Sequence, residues 1–257
     1  MIRLPDSGLP GKPGAELTAT GAHFVVRAPG ASSVTLCLFD QSDLEMARHD
    51  MIPGDVGTFA AFVEGLQAGA RYGLRAHGPW QPEAGYRFDN SKLLVDPYAT
   101  RIDRPFSYSP LLAEFGEDTR GIVPKAILET PRPPLNPGRP LFQPGGLTYE
   151  IPVRAFTMLH PDVPEEDRGT IRALAHPSIV DHLGKLRVSA VELMPIAAWI
   201  DERHLPPLGL TNAWGYNPVT MLALDPRLAP GGIEDLRHAV EALHAAGIGV
   251  ILDVVFN

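Results

Sequence analysis

The chain has 257 residues, 44% of them hydrophobic and 20% charged, with a formal net charge of −8 at pH 7. That length admits one large domain or two ordinary ones, the composition excludes wholesale disorder, and the acidic balance argues against nucleic acid or an anionic membrane as partner. The single cysteine, Cys37, excludes an intrachain disulfide, and no apolar run reaches the ~18 residues of a membrane span, so the expectation is a soluble, cytoplasmic protein.

Roughly the first 110 residues read as an all-β module. Short apolar runs at 23–28, 33–39, 58–64 and 71–76 are separated by turn signals at Pro29-Gly30, Pro53-Gly54-Asp55 and 65–69. Val34, Leu36 and Leu38 alternate onto one face, as do Tyr72, Leu74 and Ala76. Strands at this spacing predict a small β-sandwich of immunoglobulin-like type. Cys37 lies inside one of these strands and reads as a small buried apolar residue.

Residues 130–146 hold six prolines and three glycines, a density that excludes regular structure and predicts a stiff connector. The sandwich is therefore assigned to 1–129 and a second region to 147–257.

In that second region strands and helices alternate. Strands are predicted at 147–154, 188–194 and 249–256, the last an apolar β-branched run buried on both faces. A helix at 176–187 carries Ile179, Leu183 and Leu186 on one stripe and starts at Pro177 and Ser178. Another at 233–246 carries Ile233, Leu236, Val240 and Leu243, with Glu234 and Asp235 in its first turn and Gly247 as its stop. Strands joined through crossover helices must pair in parallel, as in doubly wound sheets and barrels. Nearly forty residues separate Pro195 from Gly232, and a connection that long either carries function or has structure of its own.

Two constellations are candidate sites. Asp253 and Asn257 are four apart at the carboxyl end of the last strand, so they share a side of it. They either face a ligand together or serve local backbone and a helix cap. In Trp214-Gly-Tyr-Asn, Gly215 permits close backbone approach, the two aromatics offer flat faces for sugar C–H stacking, and Asn217 could address hydroxyls; the same aromatics could equally fill a loop core. The acids Asp162, Glu165, Glu166 and Asp167 read as a solvated loop. His176 and His182, and His238 and His244, are six apart, a spacing that does not bring ligands together on a helix, so no metal site is expected.

The run Ile251-Leu-Asp-Val-Val-Phe-Asn257 resembles the first signature of the α-amylase superfamily. Tyr149-Glu-Ile-Pro-Val-Arg-Ala-Phe-Thr, Ala190-Val-Glu-Leu-Met-Pro-Ile, Gly209-Leu-Thr-Asn-Ala-Trp-Gly-Tyr-Asn, His77-Gly-Pro-Trp and Lys92-Leu-Leu-Val-Asp-Pro-Tyr-Ala narrow the resemblance to bacterial glycogen-debranching enzymes of the isoamylase type. It implies a multidomain chain: a glycogen-module sandwich, then the first three βα units of a (β/α)₈ barrel. It also implies retaining hydrolysis of α-1,6 branch linkages in glycogen or limit dextrin. Tyr216 resembles the tyrosine that stacks on the sugar, Asp253 the aspartate that organises the site, and Asn257 the signature asparagine, a calcium ligand in many amylases but not a dependable one in debranching enzymes; Trp214 joins them as a substrate-binding candidate. No cofactor is expected.

The resemblance places the catalytic acids on later barrel strands, so none is assigned within 1–257. A whole barrel takes about 250 residues and 111 follow Gly146, so the expectation is an inactive polypeptide. Met221, Leu222 and Leu228 stand where such enzymes carry aromatics, and Ala197-Ala198 replaces a more polar pair. The alternatives are a glucan-binding or scaffolding protein that covers its open sheet by self-association, and a related branching or trehalose-releasing enzyme.

Overall fold

The computed structural model describes residues 12–133, 140–142 and 144–256. Two compact units are present, one ending at Arg132 and the other starting at Pro133.

The first unit is built from β1 (Gly14–Leu17), β2 (Gly21–Arg27), β3 (Ser33–Phe39), β4 (Glu45–Asp50), β5 (Ile52–Pro53), β6 (Thr58–Glu64), β7 (Arg71–His77), β8 (Trp80–Gln81), β9 (Tyr86–Arg87) and β10 (Ala126–Ile127). They form two four-stranded antiparallel sheets, ordered β1-β2-β6-β5 and β10-β7-β3-β4, with β8–β9 a separate ribbon. Alternation sends Phe24 and Val26 of β2 and Phe59 and Ala61 of β6 into one core with Val34, Leu36, Tyr72 and Leu74 of the facing sheet. A side chain as enclosed as Leu36 contributes about 1.5–3 kcal/mol by its burial.

The reverse face of β3–β7 is also covered, by charged groups. Arg71 bridges Asp43 and Asp103, and Arg75 reaches Asp118 at 2.9 Å and the Asn90 carbonyl at 3.1 Å. Arg71, Arg75 and Lys125 are all buried, which their pairing permits. Cys37 is buried as well.

The second unit contains β11 (Leu147–Ile151), α1 (Val153–Thr157), α2 (Pro177–Lys185), β12 (Val188–Leu193), β13 (Ala197–Trp199), β14 (Pro218–Leu224), α3 (Ile233–Ala245) and β15 (Gly249–Leu252). Strands β11, β12 and β15 make one parallel sheet in that order. Tyr149, Ile151, Val191, Leu193 and Val250 share a core with Ile179 and Leu183 of α2 and Leu236, Ala239 and Leu243 of α3. Gly247, at φ 76°, closes α3, and the amide of Ile248 returns to the Leu243 carbonyl at 2.9 Å.

Several expectations need correction. The first strand stops at Ile151 rather than residue 154, because Pro152 has no amide to donate to a ladder and is the N-cap of α1, which starts at Val153. Leu186 falls just beyond α2 and is 44% exposed, so the helix buries only Ile179 and Leu183 of its stripe. The last strand ends at Leu252, and Leu252, Val254 and Phe256 are exposed, so the run is not buried on both faces. Strand β15 lies at the edge of the sheet and pairs with β12 alone among the described residues. The long connection after Pro195 carries the antiparallel β13–β14 ribbon, with Trp199 opposite Pro218.

Candidate functional site

The site is assembled by the loop between β13 and β14. Asn212 is its organiser. Its Oδ1 accepts the amides of Trp214 (2.8 Å) and Gly215 (2.9 Å), and its Nδ2 donates to Glu202 Oε1 (2.9 Å). Its own amide donates to Asp201 Oδ1 (2.8 Å), and its carbonyl accepts the indole N–H of Trp199 (3.2 Å). An asparagine whose side chain bonds amides two and three residues on stabilises a turn without help from regular structure.

Gly215 lets this loop lie against the end of β12. Its φ is 78°, and a Cβ there would stand 2.6 Å from the Pro195 carbonyl oxygen. Only glycine meets both conditions. Asn217 is turned to the ribbon: its Nδ2 donates to the Ile200 carbonyl at 2.9 Å, and its own carbonyl accepts the Ile200 amide at 3.1 Å. The expectation that it addresses a ligand is replaced by a structural role.

With the loop so placed, the hydroxyl of half-buried Tyr216 donates to Asp253 Oδ2 at 2.5 Å. Asp253 is fixed in turn, because its amide continues the ladder past β15 to the Leu193 carbonyl at 3.0 Å. By strand alternation it lies on the face away from the helices, the face that also carries Glu150 and Glu192, which are register partners. The phenol is pushed up to about 12, first by donation to the Asp253 carboxylate, then by burial and by the negative charges of Asp253, Glu150 and Glu192. Near neutrality Tyr216 therefore keeps its proton, and that proton is committed to Asp253. The tyrosine offers a ligand a flat ring, not a base. Asp253 Oδ1 accepts no hydrogen bond among the described residues and can take a ligand hydroxyl.

A second arrangement stands beside the loop. Asp225, fully buried, grips Arg227 through Nε (2.8 Å) and Nη2 (2.9 Å), and the guanidinium lies 4.0 Å from the centre of the Trp199 ring. Trp214, 68% exposed, lines a pocket of about 350 Å³ together with Trp199, Arg227, Met194 and Pro195. Neither Tyr216 nor Asp253 lines that pocket.

The structure thus brings Tyr216 and Asp253 together and sets Trp214 apart from them, although a single residue, Gly215, separates the aromatics in sequence. Asn257 lies outside the described residues. Sequence reasoning does not single out Asn212, Asp225 or Arg227. The asparagine three residues before a loop glycine and the Asp-x-Arg spacing are the available cues.

Residues 12–99 match the family model described as Carbohydrate-binding module 48 (Isoamylase N-terminal domain). Among solved structures, the chain is similar to the catalytic module of SpuA, a multi-modular glycogen-degrading pneumococcal virulence factor. There the TM-score is 0.73 with 21% identity, over 96% of this chain and 37% of that one. It is also similar to pullulanase type I from Bacillus subtilis complexed with maltose (TM-score 0.69, 24% identity, 96% and 33% covered). Pullulanase from Bacillus acidopullulyticus matches likewise (TM-score 0.67, 21% identity, 96% and 30% covered). The chain spans about a third of the length of these structures, and the likeness is one of fold.

Proposed function

We propose that the chain forms the sandwich and first three βα units of a (β/α)₈-barrel glycoside hydrolase that cleaves α-1,6 branch linkages of glycogen or limit dextrin with retention. The observation that carries the reading is the Tyr216–Asp253 hydrogen bond, made at the carboxyl ends of two parallel strands. In barrels that end of the strands is where substrates are handled. The tyrosine ring supplies an apolar face for one glucosyl unit, and Asp253, oriented by the phenol, accepts a sugar hydroxyl.

Retaining hydrolysis uses a carboxylate nucleophile and a carboxylic acid that later serves as base. On this reading both belong to strands of the barrel beyond β15. The carbohydrate-module match over 12–99 and the fold shared with pullulanases and a glycogen-degrading enzyme support it. The test is reducing-sugar release from limit dextrin by the enzyme with its whole barrel, with the product anomer followed by NMR. Tyr216→Ala should lower kcat/KM by about tenfold or more, equivalent to roughly 1.4 kcal/mol of transition-state stabilisation. Equal cleavage of linear and branched glucan would refute the specificity, and an inverted product would refute the mechanism.

A second reading, glucan binding without chemistry, is favoured by one feature of the first unit. Trp80 of β8 (40% exposed) and Phe115 (59% exposed) meet with ring centres 4.4 Å apart and planes inclined by 47°. The loop bearing Phe115 is pinned: Lys92 donates to the carbonyls of Leu111 and Glu117, each at 2.8 Å, and Asp89 accepts the Gly116 amide at 2.8 Å. Held aromatic faces of this kind suit the C–H face of a sugar. Retention on a glycogen gel that is lost in Trp80→Ala, with no hydrolysis by the enzyme with its whole barrel, would establish this reading instead.

A further inference from the structure

We propose that the pocket beside Trp214 is a second glucosyl-binding site, separate from the Tyr216–Asp253 pair and taking one or two units of an α-glucan. The proposal rests on the glucan reading above for the identity of the sugar.

The pocket holds about 350 Å³, at the lower end of the roughly 300–1,000 Å³ of small-ligand sites, which fits one or two rings rather than a long chain. Its exposed wall is the indole of Trp214, and the backbone that carries it is fixed. The Trp214 and Gly215 amides are both tied to Asn212 Oδ1, and the turn is pressed onto Pro195. A large ring 68% exposed on a pinned turn has only its own two side-chain torsions left to fix when a ligand covers it. Met194, Pro152 and Pro195 give the pocket further apolar lining.

The polar component is Arg227. Its charge is balanced by Asp225 and its plane is fixed against Trp199, while the nearest carboxylate to Nη1 is Asp201 Oδ1 at 3.9 Å, beyond hydrogen-bond reach. A neutralised, oriented donor next to an indole face recognises a neutral polyol with an apolar side, which describes a glucose ring. Arg154, also on the wall, is solvent-exposed and so attracts anions only weakly.

The experiment is isothermal titration calorimetry of the 257-residue chain with maltose, in a Trp80→Ala, Tyr216→Ala background that silences the first unit's aromatic pair and the sugar face beside Asp253. One saturable site is expected. Trp214→Ala should weaken it at least tenfold and Trp214→Phe should restore most of the affinity, with circular dichroism showing each variant folded. Absence of binding in the parent, or full binding in folded Trp214→Ala, overturns the proposal. Tighter binding of glucose 1-phosphate than of maltose by tenfold refutes the neutral-sugar assignment. Failure here leaves branch hydrolysis and its dependence on Tyr216 standing, whereas maltose held by Trp214 in an enzyme that never cleaves branches would refute the catalytic reading alone.

Discussion

Tyr216 and Asp253 are 37 residues apart in the chain, and their side chains meet at 2.5 Å. A second pair of the same chemistry, Tyr72 donating to Asp96 at 2.8 Å, is sealed in the sandwich, where Tyr72 is 2% exposed. The sealed pair satisfies buried polar groups. The other, half-buried at strand ends, has surface to offer a ligand.

The tyrosine in that outer pair should titrate abnormally. Its phenol is raised from 10.0 to about 12, chiefly by its bond to the Asp253 carboxylate. Both folded and unfolded chains hold the proton below pH 10. Between 10 and about 12 the unfolded chain releases it while the folded chain keeps it, so this contribution to stability falls as pH rises. Burial raises the Tyr72 phenol as well, so in a Tyr72→Phe background ultraviolet difference spectra should show one tyrosine with a midpoint near 12 that returns toward 10 in Asp253→Asn. An unchanged titration in that variant would show that the carboxylate does not hold the phenol.

Gly215→Ala should damage the turn that delivers Tyr216. The substitution forces a side chain into φ 78° and places its Cβ 2.6 Å from the Pro195 carbonyl. Left-handed backbone alone costs a non-glycine residue of order 1–3 kcal/mol, and the clash adds to it. Urea denaturation should report a loss of at least about 2 kcal/mol, and the Tyr216 midpoint should move toward 10.0 as the pair separates. Stability within about 0.5 kcal/mol of the parent, the range of an ordinary surface substitution, would mean that the loop does not rest on Pro195.

What was legible in the sequence follows the physics of each element. Period-2 alternation at Val34, Leu36, Tyr72 and Leu74 marked the sandwich core, because one face of each strand is apolar and the pleat is regular. Arg71 and Arg75, on the other face of β7, would pass for solvated residues. They are buried because acids 28 to 43 residues away in the chain fold over them, a pairing no local pattern announces. In the second unit β11, β12, β15, α2 and α3 could be read from periodicity and caps, whereas α1 and the β13–β14 ribbon could not. The separation of Trp214 from Tyr216 could not, since it depends on a positive φ at Gly215 and on Asn212 tying the turn. Leu252, Val254 and Phe256 misled for the opposite reason: β-branched and apolar composition predicts a buried strand, but burial needs neighbours on both sides, and β15 has one among the described residues.

Asp225→Asn should test the clamp behind the Trp214 pocket. The carboxylate is fully buried and holds Arg227 by two bonds, so the amide leaves a cation without its partner against Trp199. Breaking a buried pair costs roughly 3–5 kcal/mol, and the lower figure applies because Arg227 is partly solvated. Urea denaturation followed by indole fluorescence should show a loss of about 3 kcal/mol and a changed Trp199 emission. A loss of less than about 1 kcal/mol would assign the pair to the weak surface class.

Cys37 gives a clean report on the sandwich because it is the sole thiol and sits at 0% exposure on β3. Burial raises it from 9.0 to about 11, with the nearby Glu45 carboxylate adding to the effect and Arg75 and Arg48 opposing it. The thiolate is the nucleophile, so a disulfide reagent near neutral pH meets both a steric barrier and an almost wholly protonated thiol. The native chain should react at a rate set by opening of the first unit, and urea should release one rapid equivalent. The linkage runs in the same direction as for Tyr216: between pH 9 and about 11 the unfolded chain ionises and the folded chain does not, so alkaline conditions favour unfolding. Cys37→Ala keeps a small apolar residue at the site, so it should remove this pH-dependent loss while shifting stability near neutral pH by only about 1 kcal/mol. Rapid labelling of the native protein under those conditions would contradict the packing of β3 against its cover.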